Sequence, residues 1–180
     1  CGKQVWEIGI PDRSAAEFRH GDHYWQWGLY LKYPQEFPDD VDFTVAKSDW
    51  RRDWNYCQPP RIDSRGRGSD TTWRVRFDMT AAPVGRATLR IALCGWRGGG
   101  RLWASVNGRE IGDTGTLDEN GVMHRDGIRG RWREWSFPFD ASLLKAGQNV
   151  LSLRSLGRNW TMGVLYDCLR LELDESRQAR

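Results

Sequence analysis

The densest group of chemically useful side chains lies in residues 49–56, which hold two Trp, two Arg, two Asp, an Asn and a Tyr. Aromatic rings stack on the apolar faces of sugars, and arginine forks pair with carboxylates. This mixture predicts a surface for a flat, hydroxylated or anionic ligand, with Trp50, Arg51, Arg52 and Trp54 as candidate contacts. Because Trp is mostly buried on average, composition slightly favours the alternative that both Trp belong to the core.

A second dense cluster, residues 124–132, reads His-Arg-Asp-Gly-Ile-Arg-Gly-Arg-Trp. His124 is a candidate general base, and Arg125, Arg129 or Arg131 would neutralise the carboxylate of a uronate whose α-proton is removed. A base of matched pKa also needs burial and a positioned partner. The favoured interpretation is therefore that these side chains bind a ligand or brace a loop.

Three further side chains complete the candidate ligand contacts. Trp132 ends the second cluster, and Asn159 and Trp160 lie in the loop before the last predicted strand. The two Trp would stack on sugar faces, Asn159 would bind hydroxyls, and arginines would pair with uronate carboxylates.

Signatures of most enzyme and metal classes are absent from the sequence. There is no Cys-x-x-Cys pair for zinc, no Gly-x-Ser-x-Gly elbow, and no helix signal after the glycines at 98–100. Scattered Asp and Glu do not form a glycosidase pair. We expect that no cofactor is required; calcium is common in sandwiches, but no motif specifies a structural calcium site. Four cysteines, at 1, 57, 94 and 168, allow three complete pairings, and those at 94 and 168 fall in strand-like runs.

Length and charge bound the class of protein. The 180 residues predict one domain, 1–180, and 27 basic against 24 acidic residues give a net charge of +3. That small excess argues against a nucleic-acid binder, and no run of about 18 apolar residues predicts a membrane span. Eleven Trp exceed the needs of one core and indicate stacking surfaces. Because the chain opens almost directly on a strand-like segment, we interpret it as a piece of a longer protein.

The elements that would position these side chains are mostly strands. Apolar and polar residues alternate, or apolar residues run together, in 5–10, 43–45, 54–58, 72–79, 87–93, 102–111, 135–139, 149–154 and 164–173. Asn107-Gly108 predicts a type I′ hairpin turn. Short helices are predicted around 14–18, within 24–33, and after Asp140 as a single capped turn. About eight short strands with little helix predict an all-β sandwich or jelly roll.

Several segments, taken in order, resemble one known family. They are WEIGIPDR (6–13), the Tyr-Pro and Phe-Pro steps (28–38), FTV and KSDWRRDW (43–54), TTWRVRF (71–77), ATLRIAL (87–93), VNG (106–108), HRDGIRG (124–130) and VLYDCLRLE (164–172). Together they resemble the C-terminal domain of rhamnogalacturonan endolyases, polysaccharide lyase family 4. The resemblance covers nearly the whole chain.

The resemblance implies a galactose-binding-like jelly roll, described as carbohydrate-binding-module-like, behind an N-terminal catalytic sandwich and a fibronectin-type-III-like domain. The catalytic Lys and His of that family lie in the N-terminal domain, so none of these residues is expected to be catalytic. The expected partners are a pectic polysaccharide with acidic or neutral side chains and the catalytic domain of the parent chain, in an extracellular setting. Cys57, Cys94 and Cys168 depart from the family pattern and suggest a local disulfide or unusual thiol, and the segment 19–26 looks shorter.

Three hypotheses remain open from the sequence. The first is a non-catalytic binding module whose site lies at a loop edge or on a sheet face. The second is a structural or substrate-supporting domain whose surplus Trp face a catalytic domain. The third is a lyase fragment in which His124 completes an active site across a domain interface.

Overall fold

The computed structural model describes residues 2–23, 28–118 and 131–174. In chain order its strands are β1 Lys3–Gly9, β2 Asp42–Thr44, β3 Cys57–Gln58, β4 Arg61–Ile62, β5 Gly68–Ser69, β6 Thr71–Met79, β7 Arg86–Trp96, β8 Leu102–Val106, β9 Arg109–Asp113, β10 Arg133–Asp140, β11 Gly147–Ser155 and β12 Val164–Leu173. The helices are α1 Tyr33–Glu36 and α2 Trp50–Asp53, with 3-10 turns at Gly21–His23, Leu29–Lys32 and Ala141–Leu143.

Two five-stranded sheets face each other across the core. One has the order β1-β12-β7-β10, with β3 paired to the start of β12; the other has the order β2-β6-β11-β8-β9. All pairs within them are antiparallel except β2 with β6. The predicted all-β sandwich with short helices in its loops is confirmed.

Alternation along the strands decides which side chains enter the core. On β6 the side chains of Trp73, Val75 and Phe77 are buried, while Arg74 and Arg76 between them are partly exposed. One such face per strand is what an antiparallel sheet with one solvated side requires. The centre of the core is aromatic, because the rings of Trp54 and Trp73 meet edge to face with centroids 4.9 Å apart.

Two predicted turns are confirmed by their backbone geometry. Asn107 and Gly108 have φ of 49° and 81°, the left-handed pair that a type I′ turn needs. The Asp140 side chain accepts a hydrogen bond from the Ser142 N–H at 2.8 Å and caps the turn Ala141–Leu143.

Two local predictions are wrong, and for the cysteines the structure favours one of the alternatives left open. Segment 14–18 is not a helix, because the N–H groups of Arg13 and Ser14 bond to the side chain of Asp167 on β12 instead of starting a helical ladder. The strand predicted over 54–58 is confined to β3, and the loop 59–70 contains the β4–β5 hairpin. Cys57, Cys94 and Cys168 are buried free thiols, so the structure shows no disulfide among these three.

Most of the irregular chain gathers at one end of the sandwich. Residues 97–101 join β7 to β8 there, and residues 156–163 join β11 to β12. Antiparallel pairing places the end of β1 and the start of β10 at the same end, since Gly9 pairs with Cys168 and Arg133 with Leu93. Loops at one end of a rigid sandwich are where binding residues are most often found.

Candidate functional site

An exposed aromatic cleft lies at the loop-rich end. The rings of Tyr30 and Trp160 are stacked with centroids 6.3 Å apart and planes 16° apart. Trp160 is 49% exposed and Leu31 is 56% exposed. The cleft has a volume of about 220 Å³, and its lining residues are Tyr30, Leu31, Pro34, Pro59, Pro60, Ile62 and Trp160. None of them is charged, so the cleft offers aromatic and aliphatic faces to a ligand.

The turn that carries Tyr30 is fixed by the buried side chain of Tyr33. Tyr33 is fully buried; its hydroxyl donates to the Asp40 carboxylate at 2.9 Å and accepts from the Trp73 Nε1–H at 2.6 Å. Pro34 follows as an early residue of α1, where its missing N–H costs no hydrogen bond. These fixed points hold the short turn that presents Tyr30 and Leu31.

The Trp160 side is held by a tight loop that packs on the β4–β5 hairpin. A Cβ atom added to Gly157 would lie 2.1 Å from the Ser69 carbonyl oxygen, so only glycine allows this approach. Within the loop, the Asn159 Oδ1 accepts hydrogen bonds from the N–H and the hydroxyl of Thr161 at 3.0 and 2.6 Å. Asn159 is predicted to bind hydroxyls of a ligand; in the structure its oxygen braces the loop that carries Trp160.

The first predicted cluster is divided by the fold. Trp54 is fully buried among core rings, so the expectation that it contacts a ligand is wrong. Trp50 is half-buried against the core, whereas Arg51 and Arg52 are exposed. The Arg52 guanidinium donates two bonds of 2.8 Å to its neighbour Asp53. This segment therefore presents an arginine-rich helical turn beside the half-buried Trp50.

The second predicted cluster is described only at its end. His124, Arg125 and Arg129 lie outside the described residues. Trp132 is 38% exposed, and its Nε1–H donates to the Asp167 carboxylate at 2.7 Å. The guanidinium carbon of Arg13 lies 5.3 Å from the centre of the Trp132 ring.

Asp167 organises this second surface, and sequence analysis missed it. Its carboxylate accepts from the N–H groups of Arg13 at 2.8 Å, Asp12 at 3.2 Å and Ser14 at 3.3 Å, as well as from Trp132. Burial raises the pKa of Asp167, although these donors favour the ionised form. The sequence does contain a signal for this role, because Asp167 interrupts the apolar run of β12.

The carboxyl group of Glu17, near Asp167, has an unusually high pKa. Burial raises the pKa of Glu17 to about 7, against the opposing effect of the Ile10 N–H, which donates to its Oε1. The neighbouring carboxylates of Asp12 and Asp167 contribute to this raised pKa. The Oε2 atom of Glu17 is buried and has no hydrogen-bond partner among the described residues. Glu17 therefore favours the neutral form in the folded protein.

We expect Glu17→Gln to change how stability depends on pH. A folded-state pKa of about 7 above the ordinary 4.5 means that the carboxyl contribution is fully present below 4.5 and is lost as pH rises through 7. The variant should gain about 1–2 kcal/mol relative to wild type between pH 5 and 8, less than the full shift implies because Glu17 is only partly buried. Urea unfolding across that range measures this difference. A difference that does not vary with pH would show that Glu17 titrates normally.

No described helix has the length and apolar character needed to cross a membrane. Within the described ranges, no group of three or more His, Cys, Asp or Glu is arranged to hold a metal ion.

A family model places this sandwich in the class of carbohydrate-binding-module-like domains. The family model described as "CBM-like: Polysaccharide lyase family 4, domain III" matches residues 4–171, and the chain belongs to that family. The resemblance found in the sequence is thereby confirmed.

Related proteins are longer than this chain. It is 29% identical to "Probable rhamnogalacturonate lyase C" of Aspergillus oryzae, over 96% of this chain and 31% of that protein. It is 31% identical to "Rhamnogalacturonate lyase B" of Emericella nidulans, over 96% and 33%, and 30% identical to "Rhamnogalacturonate lyase" of Dickeya dadantii, over 93% and 27%. The chain thus spans about a third of the length of these curated relatives.

Solved structures with a similar fold include carbohydrate-binding modules. A family 35 module from an environmental isolate aligns with a TM-score of 0.37 and 20% identity, over 60% of this chain and 68% of that one. The C-terminal CBM6 of LamC, a marine laminarinase from Zobellia galactanivorans, aligns with 0.40 and 14%, over 66% and 90%. These scores are too low to support a functional comparison.

Proposed function

We propose that this domain is a non-catalytic carbohydrate-binding module that holds a pectic polysaccharide at its loop-rich end. The observation that carries the proposal is the exposed cleft between Tyr30 and Trp160, whose stacked rings and aliphatic walls suit the apolar face of a sugar ring. Trp160 is exposed and is held by its loop, so it gives contact area at low entropic cost.

The pectic ligand follows from the relatives. Three of them are named as rhamnogalacturonate lyases, and this chain aligns with about a third of each. We infer that residues 1–180 form one domain of a secreted pectin-active protein and keep its substrate near a catalytic domain elsewhere in the parent chain.

Affinity gel electrophoresis tests the proposal. The domain is run through gels containing rhamnogalacturonan I, homogalacturonan, galactan or xylan, and each mobility is compared with that in a ligand-free gel. We expect retardation by a pectic polymer and none by xylan. Equal mobility in all gels would contradict the proposal and favour a domain that packs against the rest of its parent. Ultraviolet absorbance from a new double bond in the polymer would instead reveal lyase activity.

A further inference from the structure

We propose that Arg13 and Trp132 form a second ligand site, separate from the Tyr30–Trp160 cleft, that binds the carboxylate of a uronate sugar. The two side chains come from distant parts of the chain, Arg13 from the segment after β1 and Trp132 from the residue before β10. They meet over β12, where the guanidinium carbon lies 5.3 Å from the ring centre.

One buried carboxylate fixes both partners. The Oδ2 atom of Asp167 accepts from the Trp132 indole N–H at 2.7 Å, and Oδ1 accepts from the backbone N–H of Arg13 at 2.8 Å. Asp167 is fully buried, so these bonds are shielded from competition by water. The Trp132 indole and the backbone of Arg13 are therefore held in place before any ligand arrives.

The backbone of Arg13 has a φ of 70°, in the left-handed region that glycine adopts freely and residues with a Cβ adopt rarely. The chain nevertheless keeps a long cationic side chain there. Arg13 is exposed, and no carboxylate among the described residues pairs with its guanidinium.

The chemistry of the pair favours a carboxylate. A guanidinium that stacks on an indole face keeps its in-plane N–H groups free for a planar, bidentate partner. In the part of the chain that the structure describes, the nearby carboxyl groups bond to other donors. Asp167 accepts from four N–H groups, the Asp12 Oδ1 accepts from the Ser14 N–H, and the Glu17 Oε1 accepts from the Ile10 N–H. Glu17 also favours its neutral form below pH 7. Among the described residues, the Arg13 guanidinium therefore contacts an aromatic ring and no carboxylate.

The two sites would bind different parts of an acidic pectic chain. The cleft is lined by uncharged side chains and suits an apolar sugar face, whereas Arg13 offers the fixed positive charge that a uronate requires. This site does not depend on the cleft, because its residues and its chemistry are different.

The test uses isothermal titration calorimetry at pH 5.5 with trigalacturonate and with the same trisaccharide after its carboxyl groups are reduced. We expect wild type to bind trigalacturonate more tightly than the reduced sugar. Arg13→Gln should lower trigalacturonate affinity roughly three- to tenfold, as expected for a partly exposed charged pair. The trigalacturonate affinity of Arg13→Lys should lie between those of wild type and Arg13→Gln, since lysine keeps the positive charge but loses the planar guanidinium.

Two exposed arginines supply controls. Arg109→Gln, in the hairpin at the opposite end of the sandwich, should change nothing, and Arg158→Gln, two residues from Trp160, tests the cleft side. The indole N–H signal of Trp132, assigned by its loss in Trp132→Phe, should shift with trigalacturonate and confirm that Arg13→Gln leaves the local fold intact.

Equal affinity of wild type for the two trisaccharides would overturn the proposal, as would undiminished binding by a folded Arg13→Gln protein. A loss confined to Arg158→Gln would place the carboxylate at the cleft instead. If Arg13→Gln disturbs the Trp132 signal, the proposal is tested by the affinities of wild type and Arg13→Lys for trigalacturonate and for the reduced sugar. The cleft proposal is tested separately: unchanged polymer binding by Trp160→Ala would contradict it.

Discussion

Trp160→Ala is expected to remove most of the affinity of this domain for its polysaccharide while leaving it folded. Trp160 is half exposed and forms one wall of the cleft, where its ring lies parallel to that of Tyr30. A central aromatic contact of this kind is typically worth about 2 kcal/mol or more, which corresponds to roughly a thirtyfold loss of affinity. Trp160→Phe should retain part of the binding, because a smaller flat face remains.

Gel retardation and calorimetry with the retarding polymer measure this effect, and a urea melt measures stability in parallel. Val84→Ala is the matched control, since Val84 is 79% exposed but lies between β6 and β7 at the end opposite the cleft. A folded Trp160→Ala protein with wild-type affinity would show that the ligand binds elsewhere on the domain.

The cleft itself was only half predictable from the sequence. The sequence predicts Trp160 to be a ligand contact because it lies in a loop beside Asn159, and the structure shows that its side chain is exposed. The short helix predicted within 24–33 does not distinguish Tyr30 from Leu31, yet Tyr30 is buried and Leu31 is mostly exposed. The two walls are far apart in the chain. Only the packing of loop 156–163 against the β4–β5 hairpin and the turn at 29–32 brings them together.

Strands were easier to predict because the information is local. The pattern of β6 repeats every two residues, and that period alone assigns Trp73 and Val75 to the core and Arg74 to the outer face. A short segment such as 14–18 carries no comparable period. Its backbone is decided by Asp167, which lies in the last strand and competes successfully for the N–H groups of Arg13 and Ser14.

The cluster at 49–56 shows the limit of composition. Its two Trp look equivalent in sequence, but α2 ends at Asp53 and the extended backbone at Trp54 turns that side chain inward. There it meets Trp73, Tyr166 and Phe43 edge to face, while Trp50 remains half-buried at the surface of the core. The backbone conformation at Trp54 therefore determines that its side chain lies in the core and not on a ligand surface.

Trp54→Ala should accordingly destabilise the fold and affect binding only through unfolding. Trp54 is fully buried, with ring centroids 4.9 Å from Trp73 and 5.4 Å from Tyr166, so the substitution leaves a large cavity at the centre of the core. Replacing a buried Trp by Ala costs about 3–5 kcal/mol, a large share of the stability of an ordinary domain. For a chain of this size the melting temperature should fall by roughly 6–20 °C.

Trp54→Phe separates the packing contribution from the polar one. The Nε1–H of Trp54 is buried and has no hydrogen-bond partner among the described residues, so its removal relieves a desolvation cost while most ring contacts remain. Trp54→Phe should therefore lose clearly less stability than Trp54→Ala in urea unfolding. Trp160→Ala, the same substitution at the cleft, should cost less than about 1 kcal/mol of stability, as surface changes usually do. If Trp54→Ala instead stayed as stable as wild type and lost affinity, Trp54 would have to contact the ligand directly.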